Sequence, residues 1–253
     1  MSRNPFRMLR LETRCEMLKL VRAPSFVLPT FGFPVLFYVL FGLLLVDSMG
    51  GAQSSAYLLV SYAAFGIIGV HLFALGVGVA SDRGMGWMRL KRASPMPPWS
   101  HLLARILVAV AFGTVLVLFL FALAAVFGDV RLPARTWFGI GLWLMVGGVP
   151  FSALGLALGH VLGPKSAPAT LNLIYLPMSF ASGLWLPIDF LPDWMQSMAQ
   201  GLPSYHLGAQ GHALLGAGVS HSPPISLSIV VLVACTAIFS ALAAAAWHRE
   251  GAG

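Results

Sequence analysis

Few side chains that could do chemistry lie within the apolar segments of this 253-residue sequence. They are two histidines and one asparagine, His71, His160 and Asn172, with scattered serines and threonines. Every aspartate and glutamate lies at or beyond the end of an apolar segment. A proton relay across a membrane uses paired carboxylates or bases within it, so this pattern does not favour proton-coupled transport. Isolated histidines of this kind more often hydrogen-bond a neighbouring helix than bind a ligand.

Motifs for metal or nucleotide chemistry are missing from the sequence. A zinc protease helix needs His-Glu-x-x-His, whereas His206, His212 and His221 are spaced irregularly. The stretch Gly163-Pro-Lys-Ser166 comes nearest to a phosphate-binding loop, but proline stands at the glycine position. We therefore expect no catalytic residue, no metal and no cofactor in this chain. Of the three functions considered, a transporter with a separate motor, a secondary transporter or channel, and a membrane-embedded enzyme, the enzyme is the least favoured.

Composition indicates that most of the surface faces lipid. Hydrophobic residues make up 58% of the chain and charged residues 9%, with a mean hydropathy of +0.85. Soluble proteins carry about a quarter charged residues. The net charge of +7 does not indicate nucleic acid, because the basic residues flank apolar segments instead of gathering on a polar domain. Cys15 and Cys235 are expected to be free thiols at different depths.

Six segments have the length and apolar character of membrane-spanning helices, which need about 20 residues. The fifth is the shortest, and Pro177 interrupts it. The sequence thus predicts an all-α membrane protein with six transmembrane helices, as a single domain over residues 1–253. The spans are Val27–Val46, Tyr57–Ala80, Ile106–Phe127, Trp137–Leu162, Ala169–Pro187 and Ile225–Trp247.

The distribution of lysine and arginine predicts the orientation of these spans. Thirteen of the 15 lie before the first span, in the loops after the second and fourth, or at the end of the sixth. Only Arg131 and Arg135 lie on the opposite side. Basic residues are retained in the cytoplasm, so both termini are expected there. Residues 1–26 then form a cytoplasmic interfacial helix, residues 27–247 the membrane domain and residues 248–253 a cytoplasmic tail.

The N-terminal segment has the pattern of an amphipathic helix. At 100° per residue one face carries Phe6, Leu9, Thr13, Met17 and Leu20, and arginines form an adjacent stripe. Such a helix can lie in the membrane plane with its cations near lipid phosphates. A looser basic tail is the alternative, because Pro24 and Pro29 would interrupt a continuous helix.

The cytoplasmic loop Ser81–Trp99 contains a short helix candidate between glycines and a proline-rich stop. The basic residues of this loop could serve only to keep it in the cytoplasm and so to orient the neighbouring spans. Apolar Trp87, Met88 and Leu90 among those cations suit instead a helix that docks on a partner protein. The residues alone leave both interpretations open.

The external segment after the fifth span predicts two short helices. Asp193 is a candidate N-cap for the first, and the second is expected to start after Pro203 and run through Leu214. The pair either dips back into the membrane as a hairpin or lies on the outer leaflet. Irregular backbone at membrane depth requires protein or a water-filled cavity beside it.

Gly155, Gly159 and Gly163 recur at every fourth position of the fourth span. This spacing lets two helix backbones approach closely in lipid. The contact could lie inside the chain or at the seam of a dimer.

Several segments together resemble the permease subunits of type-2 ABC exporters. The resemblance runs from the N-terminus almost to the last span, and it departs from common members at Asp82, where glutamate is frequent. The matching segments are Arg14–Pro24, Pro34–Tyr38, Asp82–Gly84 with Leu90 and Ala93–Met96, Leu176–Gly183, Leu186–Pro187, Leu191–Pro192 and Leu202–His206.

The resemblance implies a division of labour between subunits. Two permease copies, expected as a homodimer in the bacterial cytoplasmic membrane, pair with two ATPase subunits that bind ATP and magnesium. It implies that the N-terminal segment lies in the membrane plane and that the first cytoplasmic loop is the coupling helix on the ATPase. The expected coupling residues are Asp82, Arg83, Gly84, Trp87, Arg89, Leu90, Ser94 and Pro95.

The resemblance also implies a path and a gate. The second and fifth spans would line a path for an apolar or amphipathic substrate such as a drug, lipid or glycan-lipid, and the external hairpin would close its outer end. A secondary transporter or channel without an ATPase is the alternative. The expected path residues are Asn172, Tyr175, Ser179, Ser182 and Gly183; the expected gate residues are Pro187, Pro192, Trp194, Pro203, Tyr205 and His206.

Overall fold

The computed structural model describes residues 5–45, 51–87, 98–216 and 222–251, with the backbone alone at residues 5, 25, 98, 99 and 248–251. Every regular element in these ranges is helical, as the composition predicts. A π-helical turn, Tyr38–Leu44, continues α2, and a 3-10 turn, Ile188–Phe190, precedes α8. The helices are Pro5–Val21 (α1), Pro24–Phe37 (α2), Ala52–Gly84 (α3), Pro98–Phe127 (α4), Ala134–Gly147 (α5), Val149–Val161 (α6), Ala167–Ala181 (α7), Asp193–Ala199 (α8), Pro203–Leu214 (α9) and Ile225–Gly251 (α10).

Five helical segments in the described ranges are long and apolar enough to cross a membrane. They correspond to five of the six predicted spans. The fifth predicted span contains α7, which has 15 residues and is therefore shorter than a typical spanning helix. The protein is thus a multi-pass helical membrane protein, and six crossings stay a prediction. The five segments are Phe26–Leu44, Ala52–Gly84, Ser100–Phe127, Ala134–Val161 and Ile225–Trp247.

Helix α3 lies at the centre of the bundle. Its most apolar stretch is 94% buried, whereas that of α10 is only 11% buried. The helix contacts α2, α4, α5, α6, α7 and α9. A helix that is apolar on all sides can bury its whole circumference, and α3 does so.

The small residues of α6 pack against α3 within the chain. A Cβ atom on Gly155 would lie 2.5 Å from the carbonyl oxygen of Leu72, and one on Gly159 would lie 2.8 Å from that of Gly76. Only glycine permits backbones to approach so closely. The repeated spacing is thus used for internal packing rather than for a dimer seam. Gly163 has no such contact.

The predicted fourth span is two helices that meet at Gly148. Pro150 lies in the first turn of α6, where its missing N–H and its ring interrupt the helical ladder. His71 of α3 packs into the break, since a Cβ atom on Gly148 would lie 2.7 Å from His71 Nε2. Nδ1 of His71 lies 2.7 Å from the hydroxyl of Ser152. This predicted hydrogen bond to a neighbouring helix is confirmed.

The external segment forms two short helices, as predicted. Pro203 is the first residue of α9, which ends at Leu214. The expected cap was wrong, because Asp193 is the first helical residue of α8 and Pro192 precedes it without a side-chain cap. A carboxylate in the first turn still interacts favourably with the helix dipole. Helix α9 is buried from Pro203 to His212 and contacts α3, α5 and α10.

The N-terminal segment is helical from Pro5 to Val21, and a break at Arg22 and Ala23 separates it from α2. Pro24 thus begins a new helix, whereas Pro29 lies inside α2 without ending it. Met17 and Leu20, on the predicted apolar face, pack against the core. Phe6 on that face is exposed. The helix is therefore observed, while its place in the lipid headgroups stays a prediction.

Candidate functional site

A cavity of about 290 Å³ lies between α2, α3 and α7, in the part of the bundle where the path was predicted. Its walls are mainly aromatic, and three features set its shape. The ring of Tyr175 stacks on Phe65 at 4.6 Å between centroids, and Phe73 meets Tyr175 edge-on at 5.6 Å. Trp185 meets Phe37 edge-on at 5.5 Å. The lining residues are Phe26, Pro29, Thr30, Phe33, Phe37, Phe65, Gly69, Phe73, Val77, Pro168, Asn172, Tyr175, Leu176 and Trp185.

Polar groups in this aromatic cavity are few. The Tyr175 hydroxyl donates a hydrogen bond to the carbonyl oxygen of Phe65 at 2.7 Å, and Asn172 donates to that of Pro168 at 3.1 Å. The indole N–H of Trp185 is buried and has no hydrogen-bond partner among the described residues. The cavity therefore suits an apolar ligand.

Of the five predicted path residues, Asn172 and Tyr175 line the aromatic cavity and the other three do not. Ser179 is buried, and its hydroxyl has no partner among the described residues. Ser182 and Gly183 lie beneath the external helices, where the hydroxyls of Ser182 and Ser204 are in hydrogen-bond contact. Gly183 has a φ of +75°, a conformation that favours glycine and that turns the chain after α7.

The aromatic residues of the cavity were missed by the prediction from sequence. Phe26, Phe33 and Phe37 recur seven and four residues apart, which places them on one face of α2. That spacing was the available signal. Trp185 follows Gly183 in an irregular turn, where helical periodicity carries no information.

The end of the bundle beside α1 contains a buried cluster of charges. Arg105 of α4 contacts Asp82 of α3, and its Nη2 lies 3.4 Å from a carboxylate oxygen of Glu16 in α1. Lys19 lies 3.0 Å from Glu16 and 3.4 Å from Asp82. Glu16, Asp82 and Arg105 are each about 95% buried or more. This charge cluster ties three helices together, and Glu16, Lys19 and Arg105 were not among the predicted site residues.

The predicted coupling residues at the end of α3 have different surroundings. Arg83 donates from Nη1 to the carbonyl oxygens of Gly159 and Leu162, at the C-terminal end of α6. Gly84 packs directly on Pro164. Trp87 is 46% exposed, with the Lys19 ammonium 5.8 Å from its ring. Arg89, Leu90, Ser94 and Pro95 lie outside the described residues.

The predicted gate residues divide into turn-forming and buried groups. Pro187 and Pro192 directly precede helical turns, and Pro203 is the first residue of α9. Trp194 is 61% exposed, whereas Tyr205 and His206 are buried.

His206 links α9 to α10 through a defined tautomer. Its Nε2 lies 2.9 Å from the carbonyl oxygen of Gln200 and must donate to it, so Nδ1 accepts from the hydroxyl of Ser228 at 3.0 Å. Gln210 donates to the same hydroxyl at 3.1 Å. Burial lowers the pKa of His206, and the hydrogen bond to Gln200 opposes that shift. The histidine is therefore neutral at physiological pH.

His212 makes the corresponding contact between α9 and α3. Its ring stacks on Tyr57 at 3.9 Å, and Nε2 lies 3.0 Å from the hydroxyl of Ser61. Burial lowers its pKa to about 4, so this ring is also neutral. Three separate groups of buried, uncharged side chains thus hold α9 at this end, and we call them together the external network. They are His212 with Ser61, Ser182 with Ser204, and His206 and Gln210 with Ser228.

Among the described residues, one group of side chains has a geometry that could hold a metal ion. Ligand atoms of Glu12, Glu16 and His101 lie within 4.8 Å of one another. Glu12 is already paired with His101 at 2.8 Å, however, and Glu16 with Lys19 and Arg105. Two cations next to Glu16 oppose the binding of a third, so this group is better described as part of the charge cluster.

Comparisons with known proteins agree with this architecture. The family of ABC-2 type transporters matches residues 9–209, which include most of α1, all of α2 to α8 and the residues that line the aromatic cavity. A protein of Bacillus subtilis (strain 168) described as "Putative transport permease YvfS" is 28% identical over 235 residues, which cover 92% of this chain and 94% of that protein. The chain therefore belongs to the ABC-2 type transporter family and is a membrane subunit of a transporter.

Proposed function

We propose that this chain is the permease of an ATP-driven exporter, and that the aromatic cavity is part of the path of an apolar or amphipathic substrate. A homodimer of the permease would work with two copies of a separate ATPase, which supplies the ATP and magnesium sites. The complex would lie in a bacterial cytoplasmic membrane, with both termini of the permease inside.

The observation that carries this proposal is the arrangement along α3. Phe65, Gly69, Phe73 and Val77 line the aromatic cavity, and the predicted coupling residues begin at Asp82 on the same helix. A helix transmits displacement along its axis because its backbone hydrogen bonds keep it stiff. Movement of the loop after Gly84 by an ATPase would therefore reach the cavity directly.

The chemistry of the cavity supports a substrate class. Its walls are aromatic and aliphatic, and the described side chains that line it include no charged group. An apolar or amphipathic molecule fits this lining better than a highly charged solute does.

The cavity is tested by filling it. Asn172 and Leu173 are adjacent exposed residues of α7, but only Asn172 lines the cavity. We expect Asn172→Trp to reduce substrate-stimulated ATP hydrolysis of the reconstituted complex by about tenfold or more, with basal hydrolysis retained. Leu173→Trp is the matched control and should behave like wild type. If a panel of amphipathic compounds stimulates ATP hydrolysis equally in both variants, the aromatic cavity is not part of the substrate path.

The motor is tested separately. The full-length permease, purified from native membranes in mild detergent, should retain an ATPase subunit, and replacing Arg89 and Leu90 by alanine should release it. Purification without any ATPase from membranes that export normally would show that transport does not depend on a separate motor.

A further inference from the structure

The wall that α3 contributes to the aromatic cavity has one gap. Phe65, Gly69, Phe73 and Val77 line the cavity and follow one another at every fourth position, so they lie on one face of the helix. Phe65, Phe73 and Val77 carry large side chains, whereas Gly69 carries none. The cavity would therefore be deepest at Gly69 if no residue of another helix reached this point.

Tyr175 of α7 fills that gap. Its hydroxyl donates a hydrogen bond to the carbonyl oxygen of Phe65 at 2.7 Å, so the side chain reaches the backbone of α3 one turn before Gly69. A Cβ atom on Gly69 would lie 2.9 Å from the hydroxyl oxygen of Tyr175 and 3.2 Å from its Cζ. Both distances are shorter than ordinary van der Waals contact. The tyrosine can approach α3 this closely because position 69 is a glycine.

The ring of Tyr175 is also held along the axis of α3. Phe65 covers one face of the ring with 4.6 Å between centroids, and Phe73 meets it edge-on at 5.6 Å. These two phenylalanines lie one turn to either side of Gly69 on the same helix. Stacked and edge-on aromatic pairs attract each other beyond their burial alone. The ring is therefore a fixed floor of the cavity, and Gly69 sets how close to α3 that floor lies.

The size of the cavity makes the position of this floor important. Its volume of about 290 Å³ lies at the small end of ligand pockets, which range from about 300 to 1,000 Å³. In an apolar pocket, one methylene group more or less on a ligand changes its recognition by about tenfold or more. A small displacement of the Tyr175 ring would thus decide which of two similar ligands fits.

We propose that the contact between Gly69 and Tyr175 sets the upper size limit of the substrate. This inference rests on the proposed function, because it takes the aromatic cavity as part of the substrate path. A side chain at position 69 pushes the ring away from α3, since Phe65 and Phe73 block its movement along the helix. The displaced ring takes space from the cavity, so the largest ligands are lost first. Gly69 is a positioning residue, which acts through Tyr175.

Substrate-stimulated ATP hydrolysis of the reconstituted complex, with the full-length permease, tests the size limit. The probes are naphthalenemethanol, phenanthrenemethanol and pyrenemethanol, uncharged molecules that share one polar group and differ in the number of fused rings. The measured quantity is the probe concentration that gives half-maximal stimulation. For Gly69→Ala we expect the ratio of this concentration between pyrenemethanol and naphthalenemethanol to rise by about tenfold or more over wild type.

A double variant and a matched control separate this effect from a general disturbance of α3. Adding Tyr175→Phe to Gly69→Ala removes the hydroxyl that meets the new Cβ atom, and it should restore the response to pyrenemethanol at least in part. Gly66→Ala also crowds α3, because its Cβ atom meets the side chain of Leu116 in α4, but neither residue lines the cavity. This control should keep the wild-type ratio. Thermal unfolding verifies that every variant is folded.

The outcomes distinguish this inference from the function on which it rests. If Asn172→Trp suppresses stimulation while folded Gly69→Ala keeps the wild-type ratio, the cavity carries substrate but Gly69 does not limit its size. A double variant that behaves like Gly69→Ala alone would show that Tyr175 does not mediate the effect, and it too would overturn the proposal. If no probe stimulates the wild type, or Asn172→Trp responds as wild type does, the proposed path is wrong and the size limit falls with it.

Discussion

The two ends of the bundle keep polar side chains buried in different ways. At the end beside α1, Glu16, Lys19, Asp82 and Arg105 pair as full charges. At the external end, neutral serines, histidines and a glutamine pair by hydrogen bonds around α9. Breaking a buried ion pair leaves an uncompensated charge, whereas water can replace a neutral hydrogen bond at little cost. Under the proposed function, the difference suits a stiff end that receives force from the ATPase and an opposite end that opens.

The largest expected effect comes from removing one charge of the stiff end. Asp82→Leu leaves Arg105 buried without its main partner and should lower the free energy of unfolding by about 3–5 kcal/mol. The double variant with Arg105→Leu should recover at least half of this loss, because no arginine charge is left unpaired. Thermal unfolding in detergent measures both. Equal stability of the single and double variants would show that the ion pair does not hold this end together.

A smaller effect is expected from separating α3 and α6. Gly159→Ala places a Cβ atom 2.8 Å from the carbonyl oxygen of Gly76, so the helices must move apart. Overpacking of this kind costs about 1–3 kcal/mol. Gly163→Ala is the matched control, because the nearest atom would be 3.6 Å away. If both variants lower the midpoint of thermal unfolding by the same amount, the close contact at Gly159 is not the cause of the loss.

Mild acid should loosen the external end. The folded pKa of His212 is about 4, below its unfolded value of 6.5, so the unfolded chain binds a proton that the folded one does not. Stability from this residue is full above pH 6.5 and is lost as the pH falls, by about 1 kcal/mol at pH 5.5. The thermal midpoints of wild type and His212→Gln, followed from pH 7.5 to 5.5, should converge. A constant difference between them would contradict the neutral-network description.

The smallest expected effect on stability comes from one hydroxyl of the external network. Ser204→Ala removes a partner of Ser182, which still donates to the carbonyl oxygen of Met178. The free energy of unfolding should fall by about 0.5–1 kcal/mol. Export in vesicles should nevertheless change, since the contact between α7 and α9 is weakened. Ser197→Ala, at an exposed position of α8, is the control and should alter neither quantity.

The length and apolar character of the segments predicted the helices well, because a lipid bilayer requires long apolar helices in any protein that crosses it. Five spans, the start of α9 at Pro203 and the separation of α1 from α2 near Pro24 follow from rules on length and on proline. Asn172 and Tyr175, two of the predicted path residues, do line the aromatic cavity, whose role as the path stays a prediction. The aromatic wall was missed because phenylalanines are frequent in membrane helices, and only their spacing on α2 distinguishes these from the others.

The charge cluster was missed for a different reason. Lys19 and Arg105 were counted as topology signals, and Asp82 was expected to contact an ATPase. Which charges pair depends on how α1, α3 and α4 pack against one another, and contacts between residues 16, 82 and 105 cannot be read from local sequence. Glycines at a four-residue spacing likewise predict that two helix backbones approach closely, but they do not show which helix the partner is.

The position of Gly76 along α3 has a mechanical consequence. Contact with Gly155 holds the two backbones together there, eight residues before Gly84 and 24 residues after Ala52. At a rise of about 1.5 Å per residue, the two arms of α3 are about 12 Å and about 36 Å long. If the helix pivots at this contact, a displacement at the Gly84 end is enlarged about threefold at the opposite end. There α3 contacts α9, so a small stroke at one side of the membrane becomes a wide opening at the other.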